Sequence, residues 1–158
     1  MSGITIRLAE AEDVPAIDTA LRKLSDHLGD THVLRQEELG ALLFQEPIGI
    51  RVLLAETAGK LVGVVMFSSY VSTTAGGLGV YVSDLWVDAS VRGQGIGPRL
   101  LVAILDLGPF PIKTMFLNVY QDNIAARKTY LRLGFKANSL ADDLSLDESD
   151  FHKIRGKV

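Results

Sequence analysis

The sequence predicts one α/β domain over residues 1–158, with a mixed sheet covered by helices on both faces. Three observations lead there. At 158 residues the chain is long enough to bury one core and too short for two. An apolar fraction of 47% with 22% charged residues fits a globular domain and argues against disorder, collagen-like repetition or a coiled coil. Stretches of strand and helix period then succeed one another in the order β-α-α-β-β-β-α-β-α-β-β.

Residues 4–8 alternate apolar and polar through Ile4, Ile6 and Leu8 and predict a strand. Asp13 is the expected cap of a helix with Pro15 in its first turn. Val14, Ile17, Leu21, Leu24 and Leu28 give that helix an apolar face, and Gly29 ends it. After the polar loop 30–32, a shorter helix over 36–44 turns Leu39, Leu42 and Leu43 inward until Pro47 prevents continuation. Residues 51–56 and 61–71 are β-rich and separated by Thr57-Ala58-Gly59-Lys60, an antiparallel hairpin. A Gly- and Thr-rich stretch at 73–77 leads to a strand over 79–87. Residues 90–97 then link it to an almost wholly apolar, buried helix ending at Gly108-Pro109. The remainder reads as a strand at 113–120, a helix at 123–133 closed by Gly134, and a strand from Phe135 that pairs with 150–155 across an acidic loop.

Composition narrows function by exclusion. A net charge of −3 spread over both signs lacks the clustered cations that a nucleic-acid surface needs. The absence of cysteine removes disulfides, thiolate zinc sites and thiol nucleophiles. His27 and His32, five apart across Gly29, do not share a helical face, so they are expected as loop histidines with no metal, and His152 makes no better case. Met1-Ser2-Gly3 runs directly into the first strand without the apolar stretch of a signal peptide, and no run approaches a membrane span. The expectation is a soluble cytoplasmic protein that binds small molecules.

Arg92-Gly93-Gln94-Gly95-Ile96-Gly97 lies between a strand and a helix. Glycines there bring the backbone close to a ligand, unpaired N–H groups point outward, and the helix dipole favours an anion such as a pyrophosphate. No Gly-Lys-Ser or Gly-Lys-Thr follows, which excludes an ATPase phosphate loop. The turn also lies after an antiparallel hairpin, not in an opening parallel unit, which excludes the dinucleotide fold. A tight turn that only packs helix on strand is the plain alternative.

Arg92, Gly95 and Gly97 resemble the Arg/Gln-x-x-Gly-x-Gly/Ala signature of the GNAT N-acetyltransferase family, between the same two elements. Asn123, Ala126, Tyr130, Gly134 and Phe135 are similar to the family's downstream Asn-x-x-Ala-x-x-x-Tyr-x-x-x-Gly-Phe, every spacing kept. The resemblance implies a mostly antiparallel sheet splayed between its two central strands, with acetyl-CoA held in the gap and the pantetheine bonded as an added strand would be. It implies cofactor contacts at Leu85, Trp86, Val87, Arg92, Gly93, Gln94, Gly95, Ile96, Gly97, Asn118, Asn123 and Ala126, although Pro98 has no N–H to offer. It places the oxyanion donor by a strand bulge near residues 85–87 and makes Tyr130 the general acid for the leaving thiolate.

The stretch Tyr81-Val82-Ser83-Asp84-Leu85-Trp86-Val87 resembles diamine acetyltransferases, except that Ser83 stands where they carry an acidic residue. Alternation sends Tyr81 and Ser83 to one face and Asp84 to the other, and Tyr81 and Asp84 are the candidates for handling the amine's proton. Acidic residues at 26, 30, 37, 38, 142, 143, 147 and 148 read as solvated surface charge. The expected activity is acetyl transfer to a primary amine of a small molecule (diamine, polyamine or amino-acid-like) by direct attack in a ternary complex. A protein N-acetyltransferase and a non-catalytic acyl-CoA-binding module are the alternatives. A homodimer is expected, because family members often dimerise, sometimes through their last strands.

Overall fold

The structure, a computed structural model, describes residues 3–156, so the first two residues of the N-terminal reading lie outside the described residues. Five strands form one sheet in sequence order: β1 (Thr5–Leu8), β2 (Ile50–Thr57), β3 (Lys60–Ser72), β4 (Gly77–Val87) and β5 (Ile112–Leu117). Neighbours run antiparallel except β4 and β5, which are parallel. The helices are α1 (Val14–Leu28), α2 (Gln36–Gly40), α3 (Ile96–Leu105), α4 (Ile124–Arg132) and α5 (Phe151–Arg155). The expected mixed, mostly antiparallel sheet with helices on both faces is present.

Each face of the sheet carries its own core. Ile17, Leu21 and Leu39 from α1 and α2 cover Val52, Leu54, Val64 and Trp86, while Ile96, Leu100 and Ile104 of α3 cover Leu53, Val65, Phe67, Val80 and Val82. Helix α3 packs closely over Gly63, where an added Cβ would lie 3.0 Å from both Ile96 and Leu100. Its other side is open, Val102 being 56% exposed, so the apolar helix is buried along one face and not all round.

Local chemistry explains most boundaries. Ala58 (φ 49°) and Gly59 (φ 72°) both take positive φ, the conformation a two-residue hairpin between Thr57 and Lys60 requires. Gly29 closes α1 in the left-handed region at φ 77°. Asp13 departs from its expected role: its carboxylate accepts from the Arg7 guanidinium at 2.7 and 2.8 Å and from the Glu10 amide, not from its own helix. Arg7 reaches Glu56 as well and ties β1, the turn before α1 and β2 together.

Three expectations are corrected. Residues 41–45 form a wider π turn instead of continuing α2, which rotates Leu42 outward to 41% exposure while Leu43 still packs on the core. Strand β5 stops at Leu117, not residue 120, because its ladder with β4 ends at the Val82–Leu117 pair. The two terminal strands are not formed. Residues 135–147 are irregular, and Phe151 and Ile154 sit at helical spacing in α5, where Lys153 pairs with Asp150 at 2.8 Å. Dimerisation through terminal strands therefore has no strands to use among the described residues.

Candidate active site

Strand β4 is paired on both sides only over its first half. Its ladder with β5 runs from Leu78–Ile112 to Val82–Leu117. From Asp84 to Val87 it keeps β3 alone, and no strand follows β5 among the described residues. The outward-facing backbone groups of residues 83–87 therefore border a cleft of about 880 Å³, floored by β4 and walled by the start of α3, the end of α1 and α4. This is the splay expected between the two central strands.

The splay coincides with a bulge. Met66 opposes Asp84 and Phe67 opposes Val82, which leaves Ser83 without a partner across the ladder. One extra residue reverses the alternation beyond it: Val80 and Val82 face the α3 core, but so do Leu85 and Val87, while Trp86 faces α1. Tyr81 and Asp84 therefore point to the same face, the one under α1, and not to opposite faces as strict alternation requires. The bulge lies at Ser83, two residues before the expected stretch.

One end of the cleft is built mainly of main chain. Gly93 and Gly95 take φ of 79° and 77°, and Gly95 begins α3, so the amides of Ile96 and Gly97 in its first turn have no intrahelical acceptor. Pro98 occupies the third helical position, where its missing N–H breaks no helical bond but removes one outward donor. The Arg92 side chain folds back to donate to the Val87 carbonyl at 3.0 Å and fixes the turn to the end of β4. Asn123 caps α4 by accepting from the Ala126 amide at 3.4 Å. Two turns along, Tyr130 packs edge-on against Phe135, and burial pushes its phenol pKa up, so the hydroxyl stays protonated at neutral pH.

The other end is built of side chains from distant segments. Leu24, His27 and Leu28 of α1 line it with Asp30, Tyr81, Ser83 and Asp84. Tyr81 stacks on Phe116 at 4.6 Å between ring centres, and Tyr70 meets Phe116 edge-on. The Tyr70 ring lies over Gly79, where any Cβ would collide with it. Burial raises the pKa of Asp84, while the Ser83 hydroxyl and His32 pull in the opposite direction. Tyr120 donates across the mouth to Asp30, 3.1 Å from each carboxylate oxygen, and Asn118 donates to Asp143 at 2.6 Å.

Every candidate residue named from the sequence borders this cleft except Gln94. Trp86 does so while its indole is buried toward α1 beneath the Lys23 ammonium. Asp30, Tyr120, Asp143, Thr129 and Arg132 join the lining without a sequence signal of their own, and two of them, Asp30 and Asp143, belong to the acidic set that reads as surface charge. His32 is not a free loop histidine, since its Nδ1 lies 2.9 Å from the Ser25 hydroxyl.

A sheet splayed beside a glycine turn at a helix N-terminus defines the class, and the comparisons with known proteins give the family. The profile of the acetyltransferase (GNAT) family matches residues 20–135, and the chain belongs to that family. It is 35% identical over 116 residues to a mycothiol acetyltransferase of Mycobacterium leprae (strain Br4923), a match covering 66% of this chain and 36% of that protein. It thus spans about a third of that relative's length. A spermine/spermidine N(1)-acetyltransferase of Bacillus subtilis (strain 168) is 27% identical over 104 residues, covering 63% of this chain and 64% of the relative. Among solved structures, an aminoglycoside N-acetyltransferase in complex with CoA has the same fold, with a TM-score of 0.76, 17% identity, and coverage of 92% of this chain and 96% of that one. No helix among the described residues is long and apolar enough to cross a membrane.

Proposed function

We propose that the chain is an acetyl-CoA-dependent N-acetyltransferase acting on a primary amine of a small molecule, by direct attack with donor and acceptor bound together. The observation that carries this reading is the unpaired edge of β4 at residues 83–87, running into the amide-rich start of α3. A long, thin ligand with an amide-bearing arm and a pyrophosphate fits that donor set. Strand-edge groups suit the arm, apolar walls from Leu85, Val87 and Leu101 suit its methylenes, and the amides of residues 93–97 suit the anion. Acetyl-CoA, when bound, supplies an activated acetyl group and a thiolate leaving group.

The chain's own residues divide the rest of the chemistry. A backbone N–H on the free edge of residues 83–87 is aimed where charge develops on the acetyl oxygen, a fixed dipole needing no reorganisation. Tyr130, held protonated, donates to the departing sulfur. An alkylamine with a pKa near 10 arrives as its ammonium. The Asp84 carboxylate takes one of its protons and frees the lone pair, with Tyr81 orienting the amine or a bridging water from the same face; the second proton, shed by the nitrogen as the C–S bond breaks, restores the Tyr130 phenol. Asp84 is suited because it is half-buried and its basicity is raised by that burial.

A cationic small-molecule acceptor is favoured by the carboxylates of Asp30, Asp84 and Asp143 around one end of the cleft and by the stacked Tyr81 and Phe116. The relative named for spermine and spermidine supports the same class. The test is CoA-thiol release from acetyl-CoA across polyamines, amino acids, aminoglycosides and peptide N-termini. Release with a small amine is expected. Release only with peptides would point to a protein acetyltransferase, and CoA binding without any release to a non-catalytic module.

A further inference from the structure

Three aromatic rings in mutual contact sit on three successive strands: Tyr70 on β3, Tyr81 on β4 and Phe116 on β5. Tyr81 lines the cleft, and the other two do not. Strands β3 and β5 lie on either side of β4, roughly 10 Å apart, and a side chain standing on β4 normally separates rings on the two. Here the residue between them is Gly79, directly opposite Tyr70 in the β3–β4 ladder. Its φ is not positive, so backbone conformation does not call for glycine there. Space does: a Cβ at residue 79 would overlap the Tyr70 ring and hydroxyl. The empty place lets Tyr70 lie across β4 and meet Phe116 edge-on at 5.5 Å, and Phe116 in turn stacks on Tyr81 at 4.6 Å.

Phe116 needs such support. It is 43% exposed on the last strand of the sheet, and Tyr81–Phe116 is the last rung but one of the β4–β5 ladder. We propose that Tyr70 is a positioning residue for the acceptor end of the cleft: through the gap at Gly79 it fixes Phe116, and Phe116 fixes the plane of Tyr81 where that ring borders the cleft. A phenol already held in one plane meets an ammonium with its face or hydroxyl at a defined place, and binding then loses no entropy to ordering the ring. The inference rests on the reading of Tyr81 as an acceptor-facing residue. A plainer role for Tyr70 is to cover a strand glycine. That role alone predicts lost stability in a Tyr70 variant, with Tyr81 unmoved.

The experiment observes the Tyr81 ring protons of the full chain by NMR, without donor or acceptor, in wild type, Tyr70→Leu, Tyr70→Phe and Gly79→Ala. Steady-state KM values for the amine and for acetyl-CoA are then measured on the same proteins. In wild type the stack on Phe116 displaces the Tyr81 signals upfield. Tyr70→Leu is expected to shrink that displacement and to raise the KM for the amine roughly tenfold, with the KM for acetyl-CoA unchanged. Tyr70→Phe keeps the ring and should restore both. Gly79→Ala leaves Tyr70 in the chain but removes its place, so it should behave like Tyr70→Leu. Circular dichroism reports folding, and either of these two variants suffices if the other does not fold. Tyr81 signals unmoved in the folded variants overturn the proposal. Moved signals with an unmoved amine KM would uphold the hold of Tyr70 on Tyr81 and take Tyr81 out of acceptor binding. Failure of every amine to release CoA would sink the enzyme reading and leave the NMR result standing.

Discussion

The two ends of the cleft are made of different material. The end beside α3 is largely main chain: a left-handed glycine turn, the free amides of a helix start and an unpaired strand edge. The end beside α1 is side chain, drawn from positions as far apart as Asp30, Asp84 and Tyr120. Backbone geometry serves any ligand with the right spacing of acceptors, so one such end can accept a common donor while the other is varied to choose an acceptor. The comparison predicts that substitutions at the α3 end change donor binding whatever the amine, and those at the α1 end change amine preference alone.

Tyr130 lines the same cleft, and the largest effect is expected there. Tyr130→Phe keeps the ring packed on Phe135 but removes the proton donor, so kcat should fall roughly 10³-fold with acetyl-CoA affinity and melting temperature nearly unchanged. Steady-state kinetics with isothermal titration of acetyl-CoA checks both. A turnover number left intact would take the general acid out of α4.

Next in size is Asp84→Asn, expected to lower kcat/KM at neutral pH roughly 10²-fold and to abolish the acid limb of its pH profile. Stability should move the other way. The folded-state pKa of Asp84 is raised above the unfolded one, so the folded chain holds the extra proton between the two values and loses stability as pH rises through that window. Asn carries no such penalty: the variant should resist urea better than wild type at pH 7, and this advantage should vanish at pH values below the ordinary carboxylate range. A variant that is less stable at pH 7 would mean the carboxylate is held by favourable contacts that outweigh its burial.

What the sequence disclosed follows the same division. Helix α1 and the β2–β3 hairpin were legible because periodicity and a two-residue turn are local signals, and the glycine turn and the Asn123 to Phe135 spacing were legible because main-chain sites demand particular residues at particular intervals. The bulge was not: one unpaired residue, Ser83, leaves no mark in a run of strand formers, yet it decides that Tyr81 and Asp84 share a face. Nor was the partnership of Asp30 with Tyr120, 90 residues apart, since an acidic loop reads as solvated until the fold brings a donor to it. The terminal strands were expected from residue type alone; residues 135–147 join no sheet, and local i to i+3 contacts in residues 148–155 prevailed.

The glycines of the turn sharpen the comparison at a smaller scale. Gly95 has open space around its Cα but a φ of 77°, so Gly95→Ala should cost about 1 kcal/mol of stability and raise the KM for acetyl-CoA roughly tenfold, equally for every amine. Gly97 has an ordinary φ, and a Cβ there would meet Leu85 and Val87 at 3.8 Å, so Gly97→Ala should leave denaturation within about 0.5 kcal/mol of wild type. Equal destabilisation by the two would show that crowding, not backbone conformation, governs the turn.

The smallest effects belong to the mouth of the acceptor end, where removing either partner of one hydrogen bond should shift KM in opposite directions. Tyr120 and Asp30 are both exposed, so their bond adds little to stability. It does occupy a carboxylate that a cationic amine would otherwise use, and binding requires the phenol to yield. Tyr120→Phe should therefore lower the KM for a di- or polycationic amine a few-fold, and Asp30→Asn should raise it a few-fold, with monoamines and acetyl-CoA indifferent to both. High salt should shrink both differences, since the groups involved are open to solvent. If the two variants raise KM alike, the pair acts as a strap that shapes the mouth, and the acceptor's charge is read deeper in, at Asp84.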